Sequence, residues 1–297
     1  MSPITTVTRE LLVRYLQTWA PGALHRGRRA VYAHGYADAD DGAAAEAAVR
    51  VLAALPDLAR NRELSMVAVG AEAGGLIGRL GAAQRDSGAA AGLAVLPVGG
   101  GTEERLAVAL RAAGASRVPL LAFLDATSAG EPPSVTTVAA VASAGKPADV
   151  LLALPPGTPL EPYRTVGLPL VTAVRVATGE LLVFGTASGR NLEDFKEELW
   201  AAAESAGARL GDPGDPEDLL IDVSPEPDHD PLRRALLARL DEAGAATVTE
   251  LRTFALTDTV YRAADATTVL RALVDAGTVT RRPEHGRLGG DVSISTS

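Results

Sequence analysis

The fold is decided by the stretch RAVYAHGYADADDG (residues 29–42), in which an apolar run ends at a glycine and a small, acidic turn leads into a helix-like segment. The same arrangement recurs along the first half of the chain. Apolar runs lie at Ala30–Tyr36, Ser65–Val69, Leu93–Val98, Leu120–Asp125 and Val150–Leu154, and segments of helical periodicity lie at 43–55, 72–86, 102–113 and 134–145. Short apolar runs that alternate with amphipathic helices predict βαβ units, whose parallel strands are buried on both faces.

The pattern changes near residue 170, where two strand-like runs follow each other without a helix between them. Leu170–Ala177 and Glu180–Thr186 are separated by Thr178 and Gly179, which predicts a β-hairpin with a two-residue turn. A helix over 192–206 follows. Parallel strands that end in an antiparallel hairpin are typical of class I methyltransferase sheets. The predicted fold class is therefore α/β, with a Rossmann-like, mostly parallel sheet.

A second, smaller domain is predicted after an acidic segment that contains four prolines, residues 209–230. This segment is interpreted as a linker in which Leu219–Val223 docks as a short strand. Helices are predicted at 231–243, 247–255 and 260–276, and strands at 278–281 and 291–295 flank the turn PEHGRLGG. Three helices and a two-stranded wing predict a winged helix. The expected organisation is an α/β domain (1–208), a linker (209–230) and a winged-helix domain (231–297).

Composition restricts the function classes. The chain has no cysteine, which excludes disulfides, thiolate metal sites and cysteine nucleophiles. The first residues carry scattered charges over a predicted helix at Thr8–Trp19 and do not match a secretory signal, and the chain has no apolar run of roughly 18 residues, so no membrane span is expected. A cytoplasmic location is expected. The net charge of −9 argues against non-specific adhesion of the whole protein to nucleic acid.

Several segments, taken in order, resemble one known family. The strongest similarity is in ELLVFGTASGRNLEDFKEELW (180–200), where Thr186 ends a strand and Phe195 and Trp200 lie on the following helix. Weaker similarity is found in residues 29–42, 119–130, 148–155 and 260–280. Together they resemble the three-Cys-motif partner family, which has a methyltransferase-like domain and a C-terminal helical region. The resemblance implies an S-adenosylmethionine site after the first strand.

The first binding loop departs from the family pattern. Gly35 is kept where the backbone must approach the cofactor closely, but His34 stands where the family has Asp. Asp38 and Asp40 stand where it has Gly. Added carboxylates would repel the cofactor's carboxylate, although they suit its ammonium or sulfonium group. Weak or absent S-adenosylmethionine binding is therefore expected, as in a pseudoenzyme or in a site rebuilt for another ligand.

The resemblance implies two further cofactor positions besides Gly35 and Asp38. Glu72 lies near the place after the second strand where an acid binds the ribose hydroxyls, and Asp125 ends the fourth strand. His34 and Asp125 are also the catalytic candidates. They should lie on neighbouring strands at the carboxyl edge, where open α/β sheets bind their ligands, and could form a proton-transfer pair. The alternative is a His34 that packs at the edge of the crevice, hydrogen-bonded to the backbone.

Two further motifs have a functional and a structural interpretation. The acidic run at 38–42 could bind a divalent cation, but it is too short for an EF-hand loop and is interpreted as a solvated loop, with no metal site predicted. The segment Gly99–Thr102 follows a strand and opens a helix, as phosphate-binding turns do. The acidic Glu103 and Glu104 next to it would repel an anion. This segment is interpreted as a turn in which Thr102 caps the helix.

The predicted winged helix carries four candidate nucleic-acid contacts: Arg262, Arg271, Arg281 and Arg282. A recognition helix and a basic wing form a plausible phosphate-contacting surface. A rival hypothesis is therefore a regulator that binds duplex DNA through this domain, while the α/β domain forms a homodimer or senses a ligand. A third is a scaffold that docks a protein partner. The basic run HRGRR (25–29) extends a basic surface or forms a solvated loop.

Overall fold

The computed structural model describes residues 3–88, 91–215, 217–224 and 226–296. The helices are α1 (Pro3–Gly27), α2 (Ala43–Ala53), α3 (Ala73–Asp86), α4 (Thr102–Ala112), α5 (Val135–Ala142), α6 (Glu161–Arg164), α7 (Gly189–Ala206), α8 (Asp230–Ala243), α9 (Val248–Asp258) and α10 (Ala263–Asp275). The strands are β1 (Arg29–Gly35), β2 (Glu63–Gly70), β3 (Leu93–Gly99), β4 (Leu120–Asp125), β5 (Ala148–Leu154), β6 (Leu170–Val176), β7 (Leu181–Thr186), β8 (Arg209–Gly211), β9 (Leu220–Asp222), β10 (Ala245–Thr247), β11 (Val279–Arg282) and β12 (Ser293–Thr296).

The main sheet has nine strands in the order β3-β2-β1-β4-β5-β7-β6-β8-β9. Strands β1 to β5 pair in parallel, and β7 lies antiparallel between β5 and β6. The predicted Rossmann-like α/β architecture with a large, mostly parallel sheet is confirmed. The predicted hairpin is present as β6 and β7, and its turn at Gly179 has a φ of 99°, which a glycine adopts without strain.

Helices cover both faces of this sheet. One face contacts α1, α2, α3 and α7 through a core that continues into the C-terminal helices, and the other contacts α4, α5 and α6. Strand β4 is buried along its whole length, as a central parallel strand must be. Among the described residues, no helix combines the length and the apolar character needed to cross a bilayer.

The segment interpreted as a linker contributes two strands to the main sheet. Strand β8 pairs antiparallel with β6, and β9 pairs with β8, so the predicted docking of Leu219–Val223 is present as β9. Leu210 and Ile221 are buried against the sheet, which explains why this polar segment is held in place. Two of its residues, Pro216 and Pro225, lie outside the described residues.

The C-terminal unit consists of α8, α9 and α10 with a three-stranded antiparallel sheet in the order β10-β12-β11. Leucines on the three helices form its centre, together with Val279 and Ile294 of the small sheet. The three predicted helices and both predicted strands are present. Strand β10 was not predicted, because a three-residue strand (Ala245–Thr247) carries no measurable alternation.

Buried polar contacts attach this unit to helix α7. The ammonium of Lys196 donates to the carbonyl of Thr259 at 2.6 Å, and the indole N–H of Trp200 donates to the carbonyl of Val260 at 3.0 Å. Lys196 has no exposed surface, and burial lowers its pKa to about 7 against the opposing charges of Asp212 and Asp258. The two parts of the chain therefore meet at an interface that contains a buried lysine.

A buried carboxylate holds the antiparallel half of the sheet to its helices. Asp149 on β5 accepts hydrogen bonds from the indole of Trp19 on α1, the hydroxyl of Thr186 at the end of β7 and the amide of Asn191 on α7. The pKa of Asp149 is raised by burial, and these three donors oppose the rise. Two helices and two strands thus converge on one side chain.

Replacement of this carboxylate tests that role. We expect Asp149→Ala to lower the free energy of unfolding by about 3 kcal/mol, because several buried donors lose their acceptor. The matched control is Asp86→Ala, which removes an exposed carboxylate and should change stability by less than about 0.5 kcal/mol. Urea unfolding followed by circular dichroism measures both, and equal effects of the two variants would contradict the proposed role.

The buried lysine predicts a pH dependence of stability. Between about pH 7 and pH 10 the unfolded chain keeps the Lys196 proton that the folded chain loses, so stability should rise with pH, by at most about 1.4 kcal/mol per unit. Lys196→Met should remove this rise. The chain has one other lysine, the exposed Lys146, and Lys146→Met should retain it. Identical pH profiles for the two variants, measured by urea unfolding, would refute the assignment.

Candidate functional site

An open cleft of about 540 Å³ lies at the carboxyl ends of β1, β2 and β4. Open α/β sheets bind ligands at this edge. Its walls come from the loop after β1 and the loop after β4, and its lining residues are Tyr36, Asp38, Ala39, Asp40, Asp41, Ala71, Asp125, Ser128 and Ala129. Four of these nine side chains are carboxylates, so the cleft has a strongly negative potential.

Gly35 is required for packing between β1 and α4. A Cβ at Gly35 would lie 2.8 Å from the Thr102 methyl group and 3.2 Å from Leu124. Thr102 also accepts the Tyr36 N–H on its hydroxyl oxygen at 2.7 Å. The Thr102 hydroxyl, which was predicted to cap α4, holds the loop after β1 instead. The Thr102 methyl group occupies the space next to Gly35 that was expected to be left for a cofactor.

Asp38 closes the space above the end of β2. One of its carboxylate oxygens accepts the backbone N–H of Glu72 at 3.0 Å. A Cβ on Gly70 would lie 2.8 Å from the other oxygen, so the carboxylate rests directly on the backbone of Gly70. Glu72 itself is exposed and does not line the cleft. Asp38 and Glu72, two of the predicted cofactor positions, are adjacent. One oxygen of the Asp38 carboxylate is bonded to the Glu72 backbone and is therefore not free for a ligand.

The loop after β1 has an uncommon backbone conformation. Tyr36, Asp40 and Asp41 have φ values of 53°, 50° and 53°, in the left-handed region that costs energy for residues other than glycine. Three of its amide groups are used internally, since Tyr36 N–H donates to Thr102, Ala37 N–H to Val69 and Ala39 N–H to Tyr36. These three N–H groups are not free for a ligand.

His34 and Asp125 have separate hydrogen-bond partners. A hydrogen bond of 2.9 Å joins His34 Nδ1 to the hydroxyl of Tyr32, and the imidazole packs edge-on against Phe123 with centroids 5.0 Å apart. Asp125 accepts from the backbone N–H and the hydroxyl of Thr127. They lie at the ends of neighbouring strands as predicted, but no hydrogen bond joins them within the described part of the chain.

The ionisation of both residues follows from burial. Desolvation lowers the pKa of His34 to about 3, so the imidazole is neutral at physiological pH. Burial raises the pKa of Asp125, the two bonds from Thr127 oppose this, and the charge of Asp40 raises it further. A neutral imidazole buried between Tyr32 and Phe123 is not placed to exchange protons with a ligand in the cleft.

Tyr36, which lines the cleft, is hydrogen-bonded to Glu103 in a polar cluster that no sequence motif indicates. The Tyr36 hydroxyl donates to Glu103 at 3.2 Å, and Glu103 also accepts from Ser134 and Thr137. Glu103 thereby joins the start of α4 to the start of α5. Nothing in the sequence signals this, because the partners lie about 31–67 positions away along the chain.

The acidic run contributes Asp38, Asp40 and Asp41 to the cleft. Within the described residues, no group of three or more His, Asp or Glu side chains is arranged to hold a metal ion. Asp40 instead lies 3.8 Å from the guanidinium of Arg9 on α1.

Two of the four predicted nucleic-acid contacts are engaged within the protein. Arg262 makes two hydrogen bonds to Asp265, lies 3.5 Å from Glu197 and stacks over Trp200 at 4.2 Å. Arg281 donates to three backbone carbonyls of the loop between β11 and β12. Arg271 and Arg282 are exposed.

Comparison with known proteins gives little similarity. No protein-family model and no curated protein matches the chain. The crystal structure of EvdMO1 superposes with a TM-score of 0.38 at 11% identity. The match covers 58% of this chain and 40% of that one, so this chain aligns with less than half of its neighbour's length.

The protonation of His34 can be measured directly. The unfolded chain binds a proton on this histidine below about pH 6.5 and the folded chain does not until about pH 3, so His34 destabilises the fold progressively over that interval as pH falls. We expect its imidazole resonance, assigned by its loss in His34→Gln, to stay at the neutral shift between pH 5 and pH 8. A titration midpoint near 6.5 would restore His34 as a proton-transfer candidate.

Proposed function

We propose that this chain is a divergent class I methyltransferase-like protein of the three-Cys-motif partner type that does not use S-adenosylmethionine and acts without methyl transfer. The order β1-β4-β5-β7-β6, in which parallel strands end in an antiparallel hairpin, supports the methyltransferase-like part of the proposal. The resemblance of residues 180–200 to that family supports the same assignment.

The observation that carries the proposal is the chemistry of the cleft. S-adenosylmethionine has an ammonium and a sulfonium group, which carboxylates suit, and also a carboxylate, which needs hydrogen-bond donors and a neutral or positive surrounding. The cleft offers Asp38, Asp40, Asp41 and Asp125, and at 4 Å two like charges repel by about 4 kcal/mol at an effective dielectric constant of 20. The amides of Tyr36 and Ala37 are already bonded to Thr102 and Val69. These residues do not fit the cofactor.

The C-terminal unit is a winged helix in this proposal, on the order α8-β10-α9-α10-β11-β12. DNA-reading proteins of the helix-turn-helix type place the N-terminal residues of their recognition helix in the major groove. Here that end of α10 faces α7: Tyr261 and Asp265 are buried, and Arg262 stacks on Trp200. This geometry favours a C-terminal unit that is a fixed part of the protein over one that reads DNA through α10. Docking of a protein partner on its outer face, near Arg271 and Arg282, is the alternative function.

Calorimetric titration tests the proposal. We expect no measurable heat when S-adenosylmethionine or S-adenosylhomocysteine is added to 50 µM of the intact protein, which corresponds to dissociation constants weaker than about 100 µM. Binding with a low-micromolar dissociation constant would overturn the proposal.

A matched variant separates charge from shape. In Asp40→Asn the loop keeps its size while the cleft loses one negative charge, and the weak pair with Arg9 is removed as well. We expect this variant to remain without measurable binding, because the other carboxylates and the occupied amides persist. Tight binding restored by this single change would indicate a cofactor site in which only one charge interferes.

A further inference from the structure

The opposite edge of the main sheet carries the reverse charge. Four connections, called loops here, lead into β1, β2, β4 and β5, with the sequences HRGRR (25–29), PDLARNR (56–62), GASRVP (114–119) and SAGKP (143–147). The first includes the last residues of α1 and the first residue of β1, and the second includes a short 3₁₀ helix (Pro56–Arg60). These loops contain seven cations, which we call the basic edge: Arg26, Arg28, Arg29, Arg60, Arg62, Arg117 and Lys146. They contain one acid, Asp57, and Glu63 follows as the first residue of β2. A protein with a net charge of −9 thus concentrates positive charge at one end of its sheet.

The topology brings these loops together. The strand order β2-β1-β4-β5 is continuous and all four strands run in parallel, so their first residues lie side by side. Backbone hydrogen bonds join the loops in pairs: Glu63 N–H donates to Arg28, Val31 N–H to Pro119, and Leu120 N–H to Pro147. With strands about 4.8 Å apart, the basic edge is about 15 Å wide.

Most of these cations lack an internal partner. Arg29 lies 3.3 Å from Glu63. Arg26 lies in the last turn of α1 and Arg60 in the last turn of a short 3₁₀ helix, where a cation complements the helix dipole. In the described part of the chain, Arg28, Arg62, Arg117 and Lys146 make neither an ion pair nor a side-chain hydrogen bond, and all except Arg62 are exposed.

Two of these arginines occupy backbone positions that suit glycine better. Arg28 and Arg117 have φ values of 55° and 74°, in the left-handed region. That conformation costs an arginine about 1 kcal/mol, and within the described part of the chain neither side chain makes an ion pair or a hydrogen bond that compensates for it. The side chains at these two positions can therefore be removed by substitution to glycine without straining the fold.

We infer that the basic edge binds the phosphate backbone of duplex nucleic acid. Six of its seven cations are arginines, whose guanidinium group matches phosphate oxygens in a bidentate geometry. A width of about 15 Å spans roughly four base-pair steps of a duplex, at about 3.4 Å per step. The contact is independent of sequence, because phosphate contacts position a protein without reading bases.

The neighbouring side chains favour a duplex over other polyanions. Single strands are held by stacking on aromatic rings, and the four loops contain no Phe, Tyr or Trp. Surfaces that enter a bilayer add exposed apolar side chains, and the exposed large hydrophobic residues of the described chain, Ile77, Leu96, Val108, Val135 and Leu219, lie outside these loops. The acidic cleft at the far end of the sheet keeps the polyanion away from that end.

Fluorescence anisotropy with a labelled 20-base-pair DNA duplex tests this inference on the full chain. We expect binding at 50 mM salt. The triple variant Arg28→Gly, Arg117→Gly, Lys146→Gln should weaken it at least tenfold and lower the slope of log K against log salt by about 0.9 for each phosphate that is no longer neutralised. The matched control Arg271→Gln, Arg282→Gln, Arg287→Gln removes the same charge from the C-terminal unit and should change the affinity by less than twofold.

Each alternative result has a defined meaning. No binding of the duplex by the unaltered protein at 50 mM salt would overturn the inference, and so would abolished binding in the control but not in the edge variant. Binding to vesicles that contain phosphatidylserine, without binding to the duplex, would reject nucleic acid in favour of a membrane surface. Thermal unfolding of the edge variant near the midpoint of the parent shows that charge, and not folding, has changed.

Discussion

The buried carboxylate of Asp149 is the interaction on which the arrangement of the molecule depends. It is reached by donors from α1, β7 and α7, which are separated by up to 172 positions between Trp19 and Asn191. Helix α7, oriented in this way, presents Lys196 and Trp200 to the carbonyls of Thr259 and Val260. The C-terminal unit is therefore held against a helix whose orientation depends on a contact inside the α/β domain.

The main elements could be predicted from the sequence because their patterns are local. Strand β4 has the predicted bounds, Leu120–Asp125, since a fully buried parallel strand is a continuous apolar run. The first helix was predicted only to Trp19 and continues to Gly27 through Pro21. Its last turns bury Ala20, Ala23 and Leu24, so tertiary packing outweighs the local effect of proline. Strand β9 was predicted as a docked segment, whereas β8 was not, because it depends on pairing with β6, which local sequence does not indicate.

The candidate site was predicted less completely, because a sequence pattern does not indicate which hydrogen-bond and ion-pair partners each side chain takes. The cleft and its acidic residues lie at the predicted edge, and His34 and Asp125 lie on neighbouring strands. Their hydrogen bonds go to Tyr32 and Thr127, two residues away in each case. Arg262 was predicted to contact phosphate because of its residue type and its place on the helix, but Trp200 and Glu197 of α7 bind its guanidinium. Such a pairing requires knowledge of which helix packs beside α10.

The scarcity of lysine gives the molecule a built-in pair of chemical reporters. Its two lysines lie at two different kinds of surface, since Lys146 is exposed on the basic edge and Lys196 is enclosed where α7 meets the C-terminal unit. The rate at which an amine-directed reagent modifies the side chain of Lys146 shows whether that edge is covered. Modification of Lys196 requires the junction to open. The rates at which the two lysines react therefore report separately on whether the basic edge is covered and on how often the junction at α7 opens.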